Sequence, residues 1–246
     1  MPGNMYNYIR NGKKEIRPVV VLCAGEGRRL QDLGRSIPKA MVTIHNRPAI
    51  RYVIDYWKGF AGEFIFVVGY KKEQIIDFVQ AAHIGVRALF VEQESPRGIA
   101  HAIGCAEKHL RDDFIVVLGD CLCRGAFVFP DSFVQGVGVW KTPNAGSIKQ
   151  SYSVEVDKNL IRKVVEKPKE LTNDLCGMGC YFFNARLFEY IKKTPASSLR
   201  NEVEITDVIQ RMIDSREEIS PLFFNGDYLN ITSAEDIAAA EKIFPR

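Results

Sequence analysis

Val19–Lys39 reads VVVLCAGEGRRLQDLGRSIPK. A β-branched run passes straight into a loop with glycines at 25 and 27, two arginines follow, and the stretch closes on Pro38-Lys39. Glycines at these positions let the backbone turn tightly and bring its N–H groups close to a bound anion. Arg28, Arg29, Arg35 and Lys39 add positive charge, opposed only by Asp32 from Arg28 onward. A strand feeding a cationic, glycine-bearing loop has the chemistry of a nucleoside triphosphate site. Two common phosphate motifs are excluded. There is no GxxxxGK[ST], and Leu30 stands where the third glycine of GxGxxG would be.

Outward from this strand, apolar runs alternate with helix-periodic segments. Val19–Leu22, Phe64–Val68, Val86–Val91 and Phe114–Leu118 read as strands, and Pro48–Ala61, Glu73–Ala82 and Ile99–Leu110 as helices. In the first helix Ile50, Val53, Ile54, Trp57 and Ala61 share a stripe, with Asn46 as its cap. This rhythm predicts parallel strands with right-handed crossovers and helices on both faces. The second half differs. Ser151–Val156 and Leu160–Val165 read as a hairpin about Asp157-Lys158-Asn159. Met178–Phe183 and Ile219–Phe224 read as strands, and Arg186–Lys192, Val203–Ser215 and Ser233–Ile243 as helices, the last capped by Ser233. The expectation is an α/β fold with a mixed sheet, as a single domain over 18–246 behind a polar extension over 1–17.

Composition narrows the class. The chain has 246 residues, 46% hydrophobic and 26% charged, as a soluble globular protein would. A net charge of +3 is too small to argue for nucleic acid or an acidic membrane. No apolar run approaches a membrane span, and the N-terminus has no signal-peptide core, so a cytoplasmic location is expected. Cys23, Cys105, Cys121, Cys123, Cys176 and Cys180 are then reduced thiols, since no CxxC pair exists and the four histidines are scattered.

Ligands of open α/β sheets sit beyond the carboxyl ends of the parallel strands. Gln93 stands at one such end, with an amide that can read a base edge, and Gly98 lets backbone approach that base. Val68-Gly69-Tyr70, at another end, says less. Asp120 ends Val116-Val117-Leu118-Gly119-Asp120, placing a carboxylate where Mg²⁺ beside phosphate oxygens would need it. Glu166-Lys167-Pro168 closes a hairpin strand, held extended before the proline.

Together these residues resemble the sugar-1-phosphate nucleotidyltransferases, the nucleotide-sugar pyrophosphorylases, from Val19 to about Lys242. Leu22–Lys39 is similar to the signature LAAGxGxRL…PK, and Gln93–Ala102 to the base-binding Q-x-x-P-x-G-x-A. Gly119-Asp120 matches the metal position, and Glu166-Lys167-Pro168 the sugar-phosphate EKP. Gly177–Phe183 resembles G-x-Y-x-F, and Glu202–Asp207 resembles E-x-E-I-T-D. The resemblance implies a three-layer α/β/α Rossmann-like mixed sheet of the nucleotide-diphospho-sugar transferase type. It also implies Mg²⁺-dependent joining of an NTP to a sugar-1-phosphate with release of pyrophosphate. By carry-over Arg29, Lys39 and Asp120 are catalytic. Leu22, Ala24, Gly25, Gly27, Arg29, Gln93 and Gly98 bind the nucleotide. Glu166, Lys167, Gly179 and Glu202 bind the acceptor, while Asp120 and Asn230 bind metal. The partners implied are the NTP and a small phosphomonoester, with a homo-oligomer as the family expectation.

Three features depart from the family pattern. Tyr228-Leu229-Asn230 stands where thymidylyl- and uridylyltransferases usually carry W-x-D, so asparagine replaces the second carboxylate ligand. Tyr152-Ser153 replaces a common Tyr-Gly, and no β-helix repeats follow Ile243, which implies no attached acyltransferase domain. The first two leave open a cytidylyltransferase acting on phosphocholine or another phosphoalcohol, with Tyr152, Tyr181 and Tyr228 as candidates for a cation-binding face. A glycosyltransferase would usually show Asp-x-Asp at the metal position, where Leu122 follows here. A non-catalytic nucleotide-binding regulator would not need Arg29, Lys39, Asp120 and Lys167 together.

Overall fold

A computed structural model describes residues 18–27, 37–82, 84–197 and 202–244. The extension over 1–17 and the loop arginines Arg28, Arg29 and Arg35 lie outside the described residues. In chain order the strands and helices are β1 (Val19–Leu22), β2 (Thr43–Ile44), β3 (Arg47–Pro48), α1 (Ala49–Trp57), β4 (Glu63–Val68), α2 (Lys72–Ala81), β5 (Arg87–Glu92), α3 (Ile99–Cys105), β6 (Phe114–Leu118), β7 (Cys121–Val128) and β8 (Gln135–Lys141). They continue with α4 (Ala145–Gln150), β9 (Tyr152–Asp157), β10 (Leu160–Glu166), β11 (Leu175–Phe183), α5 (Leu187–Lys193), α6 (Ile205–Asp214), β12 (Ile219–Asn230) and α7 (Ala234–Ile243).

The chain divides into two compact units. One holds the residues up to Pro96 together with Val117–Arg124 and the segment from Gly226 onward. The other holds Arg97–Val116 and Gly125–Asn225. In the first unit β5, β4 and β1 lie side by side and parallel, with Val20 opposite Ile65 and Ile65 opposite Leu89. Val19, Val20 and Val21 are fully buried, as are Phe64, Phe66, Ile50, Ile54 and Ile75. Each such side chain removed from water contributes about 1.5–3 kcal/mol. A smaller apolar cluster joins Val42, Ile44, Ala49, Leu122, Ile231, Ala240 and Phe244. The helix α7 supplies Ala240 to it and is started by a capping box, in which Ser233 and Asp236 bond each other's backbone N–H.

In the second unit, which takes β6 up to Val116, β7 from Gly125 and β12 up to Asn225, the strand order is β6-β11-β8-β12-β7, with β9 on β11 and β10 on β9. Antiparallel β11–β8 and β9–β10 pairs stand beside a parallel β12–β8 pair, the mixed sheet expected. The β9–β10 hairpin turns on two residues, Lys158 (φ 49°) and Asn159 (φ 63°), both left-handed as a two-residue hairpin turn demands.

Several expectations need correction. Asn46 does not cap α1. With His45 it forms the left-handed turn between β2 and β3 (φ 64° and 47°), and Pro48 occupies the N-cap. The helix ends at Trp57 rather than Ala61, where Phe60 N–H turns back to Trp57 O at 2.8 Å. The helix from Ile99 ends at Cys105. Beyond it Ala106 N–H bonds Ile103 O, tightening the chain into a 3₁₀ turn over Glu107–His109. The strands β7 and β8 and the short helix α4 were not anticipated at all.

Candidate active site

In the first unit the site begins where β1 stops. Cys23 N–H still pairs with Val67 O at 2.8 Å, after which the backbone leaves the sheet. Ala24, buried, lies against Gly69: a Cβ at 69 would come 3.0 Å from Ala24 Cβ and 3.1 Å from Gln93 O. Gly69 therefore lets the ends of β1, β4 and β5 approach one another, bringing Ala24 and the buried Gln93 together. In the sequence Gly69 reads only as the end of a strand. A lone glycine at a strand end says little until its neighbours are known.

Gly25 is exposed with open space where a side chain would be, whereas Gly27 has φ 65° and sits on Lys39. A Cβ at 27 would come 3.0 Å from Lys39 Cβ. The lysine stem is thus fixed under the loop, and its backbone is fixed by a tight turn in which Met41 N–H reaches Pro38 O at 2.8 Å.

Gly119 brings the end of β6 against the end of β1. Its N–H donates to Leu22 O at 2.9 Å, and a Cβ there would lie 2.7 Å from Cys23 Sγ. Asp120 follows, buried, and its carbonyl accepts from Ile231 N–H at 3.0 Å, which ties it to the residue after Asn230. Leu122 and Ile231, flanking these two polar residues, are anchored in the apolar cluster that includes α7.

Three predicted residues, far apart in sequence, meet here. The Lys39 ammonium forms an ion pair with the Asp120 carboxylate and donates to Asn230 Oδ1 at 3.3 Å. One carboxylate and one neutral carbonyl oxygen therefore converge on a single cationic centre. That donor set suits a hard divalent ion that completes its shell with phosphate oxygens and water. Among the described residues no group of three or more His, Cys, Asp or Glu side chains is placed to hold a metal. Burial, then the charge of Asp120, push the Cys23 and Cys121 thiols well above their ordinary values, so both stay protonated. All six cysteines are free.

The second unit holds the predicted acceptor residues, of which Glu166 and Lys167 lie side by side. Glu166 ends β10, and its Oε2 accepts from the buried Thr206 hydroxyl at 3.3 Å, at the start of α6. Lys167 is left-handed (φ 44°), with its N–H on Ser151 O at 2.8 Å and its ammonium 3.6 Å from Glu166. A lysine in this conformation is uncommon and marks a position the surroundings impose. Thr206 and Ser151 were missed as supports, because a threonine in a helical pattern and a serine before a strand carry no distinguishing signal. Gly98 (φ 94°) faces Glu202 and Val203, since a Cβ there would lie 2.7 Å from Val203 O. Its glycine is thus accounted for by the approach of that backbone. Gly179 is buried in β11, within the stretch between Gly177 and Tyr181 where the register against β8 shifts.

Tyr152 lies across Gly177, and any side chain at 177 would enter its ring. Its hydroxyl donates to Met178 O at 2.9 Å. Tyr181 is buried and stacked on Phe183, and the buried Tyr228 donates to Cys121 Sγ at 3.1 Å. These rings are packing elements rather than the walls of an open cation cage. Ser153 is likewise buried, opposite Val165 on one side and Cys176 on the other.

A family model described as Nucleotidyl transferase matches residues 18–242. The chain is 32% identical over 230 residues to the UTP–glucose-1-phosphate uridylyltransferase AglF of Haloferax volcanii, covering 91% of this chain and 94% of that protein. It is 30% identical over 225 residues to the bifunctional protein GlmU of Methanocaldococcus jannaschii. That match covers 91% of this chain but 53% of GlmU, so the chain spans about half the length of such relatives. Among solved structures, a UDP-glucose pyrophosphorylase complexed with UDP-glucose superposes with a TM-score of 0.78 at 20% identity, covering 93% of this chain and 98% of the other. That likeness shows the fold, a mixed sheet with helices. By the extent of the family match and the relation to AglF, the chain belongs to the nucleotidyl transferase family.

Proposed function

We propose that this protein joins a nucleoside triphosphate to a sugar-1-phosphate, giving a nucleotide-diphospho-sugar and pyrophosphate. The observation that carries the reading is the meeting of Lys39, Asp120 and Asn230 beside the Gly25–Gly27 loop. A cation, a carboxylate and a neutral oxygen at the end of a parallel strand are what a triphosphate with a divalent ion needs. A regulator that merely bound nucleotide would not require the set.

In the reaction a phosphate oxygen of the acceptor attacks the α-phosphorus. A new P–O bond forms, the bond to the β-phosphate breaks, and its electron pair leaves with pyrophosphate. No covalent catalyst is needed; alignment and charge neutralisation suffice. The loop amides around Gly25–Gly27, with Arg29, hold the triphosphate. Lys39 neutralises charge at the α-phosphate. Ala24 and Gln93 serve the base, and Leu22 the loop's entry. Asp120 and Asn230 would hold Mg²⁺, which supplies Lewis-acid neutralisation of phosphate charge when bound. Lys167 takes the acceptor phosphate, while Glu166, Gly179 and Glu202 shape the rest of that site. Thr206 keeps the Glu166 carboxylate in place.

The test is pyrophosphate release with each of the four ribo-NTPs and dTTP against a panel of sugar-1-phosphates and phosphoalcohols, with Mg²⁺. Release is expected with at least one sugar-1-phosphate. Asp120→Ala and Lys39→Ala should each lower it by about a hundredfold or more. Release only with phosphoalcohols would move the acceptor class. No release with any pair, or full turnover in both folded variants, would overturn the assignment.

A further inference from the structure

Lys39 engages the two oxygen ligands proposed for the divalent ion, the Asp120 carboxylate and Asn230 Oδ1. Mg²⁺ bound to these oxygens would lie about 2.0–2.1 Å from each, in the space the ammonium fills. Two positive centres cannot share that position. Only the outer part of Lys39 is free to yield. Its Cβ and Cγ lie under Gly27, where a side chain would come 3.0 and 3.3 Å from them, and its backbone is held in the Pro38–Val42 turn. A swing of the terminal carbons and ammonium is the movement available.

We infer that Lys39, bonded to Asn230 Oδ1, is the resident counter-ion of Asp120 and is exchanged for the divalent cation when the triphosphate arrives. The incoming phosphates give the displaced ammonium a new partner, so metal and nucleotide enter together and free metal is resisted. Without the exchange the ammonium and the metal would oppose each other. With it, a cation is present between the two oxygens before and after, and the buried carboxylate is not left alone. The inference rests on the proposed metal and phosphate roles of this unit and goes beyond them in assigning an order of events.

The test measures Mn²⁺ alone, without nucleotide, by the loss of the free-ion electron paramagnetic resonance signal. Wild type is compared with Lys39→Met, Lys39→Gln and Lys39→Arg, each checked for folding by circular dichroism. Met and Gln remove the charge and keep the stem beneath Gly27, and both variants should bind one Mn²⁺ about tenfold or more tightly than wild type. Lys39→Arg should stay near wild type, and adding Asp120→Asn to Lys39→Met should abolish the gain. Affinity at or below that of wild type in both charge-free variants would overturn the inference, as would a gain that survives Asp120→Asn. If wild type releases pyrophosphate while those variants show no gain, only the exchange fails. If wild type releases none with any substrate pair, the transferase reading fails, and the Mn²⁺ comparison still decides the exchange.

Discussion

Replacing Gly119 with alanine should damage both stability and turnover, and the damage should depend on Cys23. The added Cβ would lie 2.7 Å from Cys23 Sγ, 3.1 Å from Leu22 O and 3.2 Å from Ala40 Cβ. Leu22 O is backbone, Ala40 Cβ belongs to the turn that carries Lys39, and Cys23 Sγ ends a short, buried side chain. Relief must come from β6 backing away, which stretches the 2.9 Å bond from Gly119 N–H to Leu22 O. Overpacking of this kind costs about 1–3 kcal/mol, and a weakened backbone bond about 1 kcal/mol more. We expect Gly119→Ala to be destabilised by about 2–4 kcal/mol in urea unfolding. Asp120 moves with it, and misplacement approaching 1 Å lowers turnover by up to about a hundredfold. Cys23→Ala removes the nearest obstacle, so the double variant should regain at least about 1 kcal/mol relative to additivity. The recovery is partial, because Leu22 O and Ala40 remain close. If Gly119→Ala lies within about 0.5 kcal/mol of wild type, or the two changes add within about 0.3 kcal/mol, the packing argument is wrong.

Gly177→Ala drives a methyl into the Tyr152 ring and strips Met178 O of its buried donor. A loss of about 3 kcal/mol is expected in the same unfolding assay, and one below about 1 kcal/mol would contradict the contact. Thr206→Val removes the hydroxyl from Glu166 with little change of volume. It should raise KM for the acceptor by about tenfold and leave KM for the NTP alone, and equal shifts in both would refute the role. Asp55 is bonded by Arg47 at 2.7 Å, Arg51 at 2.9 Å and Lys58 at 2.7 Å. Partial burial alone would raise its carboxyl, but the bonds from Arg51 and Lys58 outweigh this and hold it below the ordinary value. Its stabilisation is therefore present above the unfolded value of 3.8 and is lost as pH falls through the lower folded value. Asp55→Asn should lower the urea midpoint at pH 7, and the gap should close in acid; a gap constant with pH would refute the linkage.

The parallel strands of the first unit were legible because each is a short apolar run, and Phe64–Val68, set between Glu63 and the turn residue Gly69, admits few other readings. β8 was not legible, and its neighbours explain why. Gly136 and Gly138 weaken the strand signal of QGVGVWK. Their missing side chains are replaced in the fold by Leu222, 2.7 Å from where a Cβ at 136 would be, and by Cys180 Sγ against 138. A strand whose side-chain volume comes from its partners cannot be read from its own residues. The site divides the same way. Asp120 announced itself as the polar end of an apolar run. Asn230 was reached only through the family pattern, since it lies 191 residues from the Lys39 it touches. Arg29 lies outside the described residues, so its role remains a sequence expectation.

The cluster of Leu122, Ile231, Ala240 and Phe244 also bears on how the chain can be handled at the bench. The final helix is ballast for the polar end of β6 rather than a dispensable tail. Trimming the chain back to Asn230 would remove Ile231, Ala240 and Phe244 together and leave Asp120 above an emptied floor, without touching any residue of the proposed site. Fusion points and affinity tags therefore belong beyond Phe244, and a shortened version that has lost activity would report a lost foundation rather than lost chemistry.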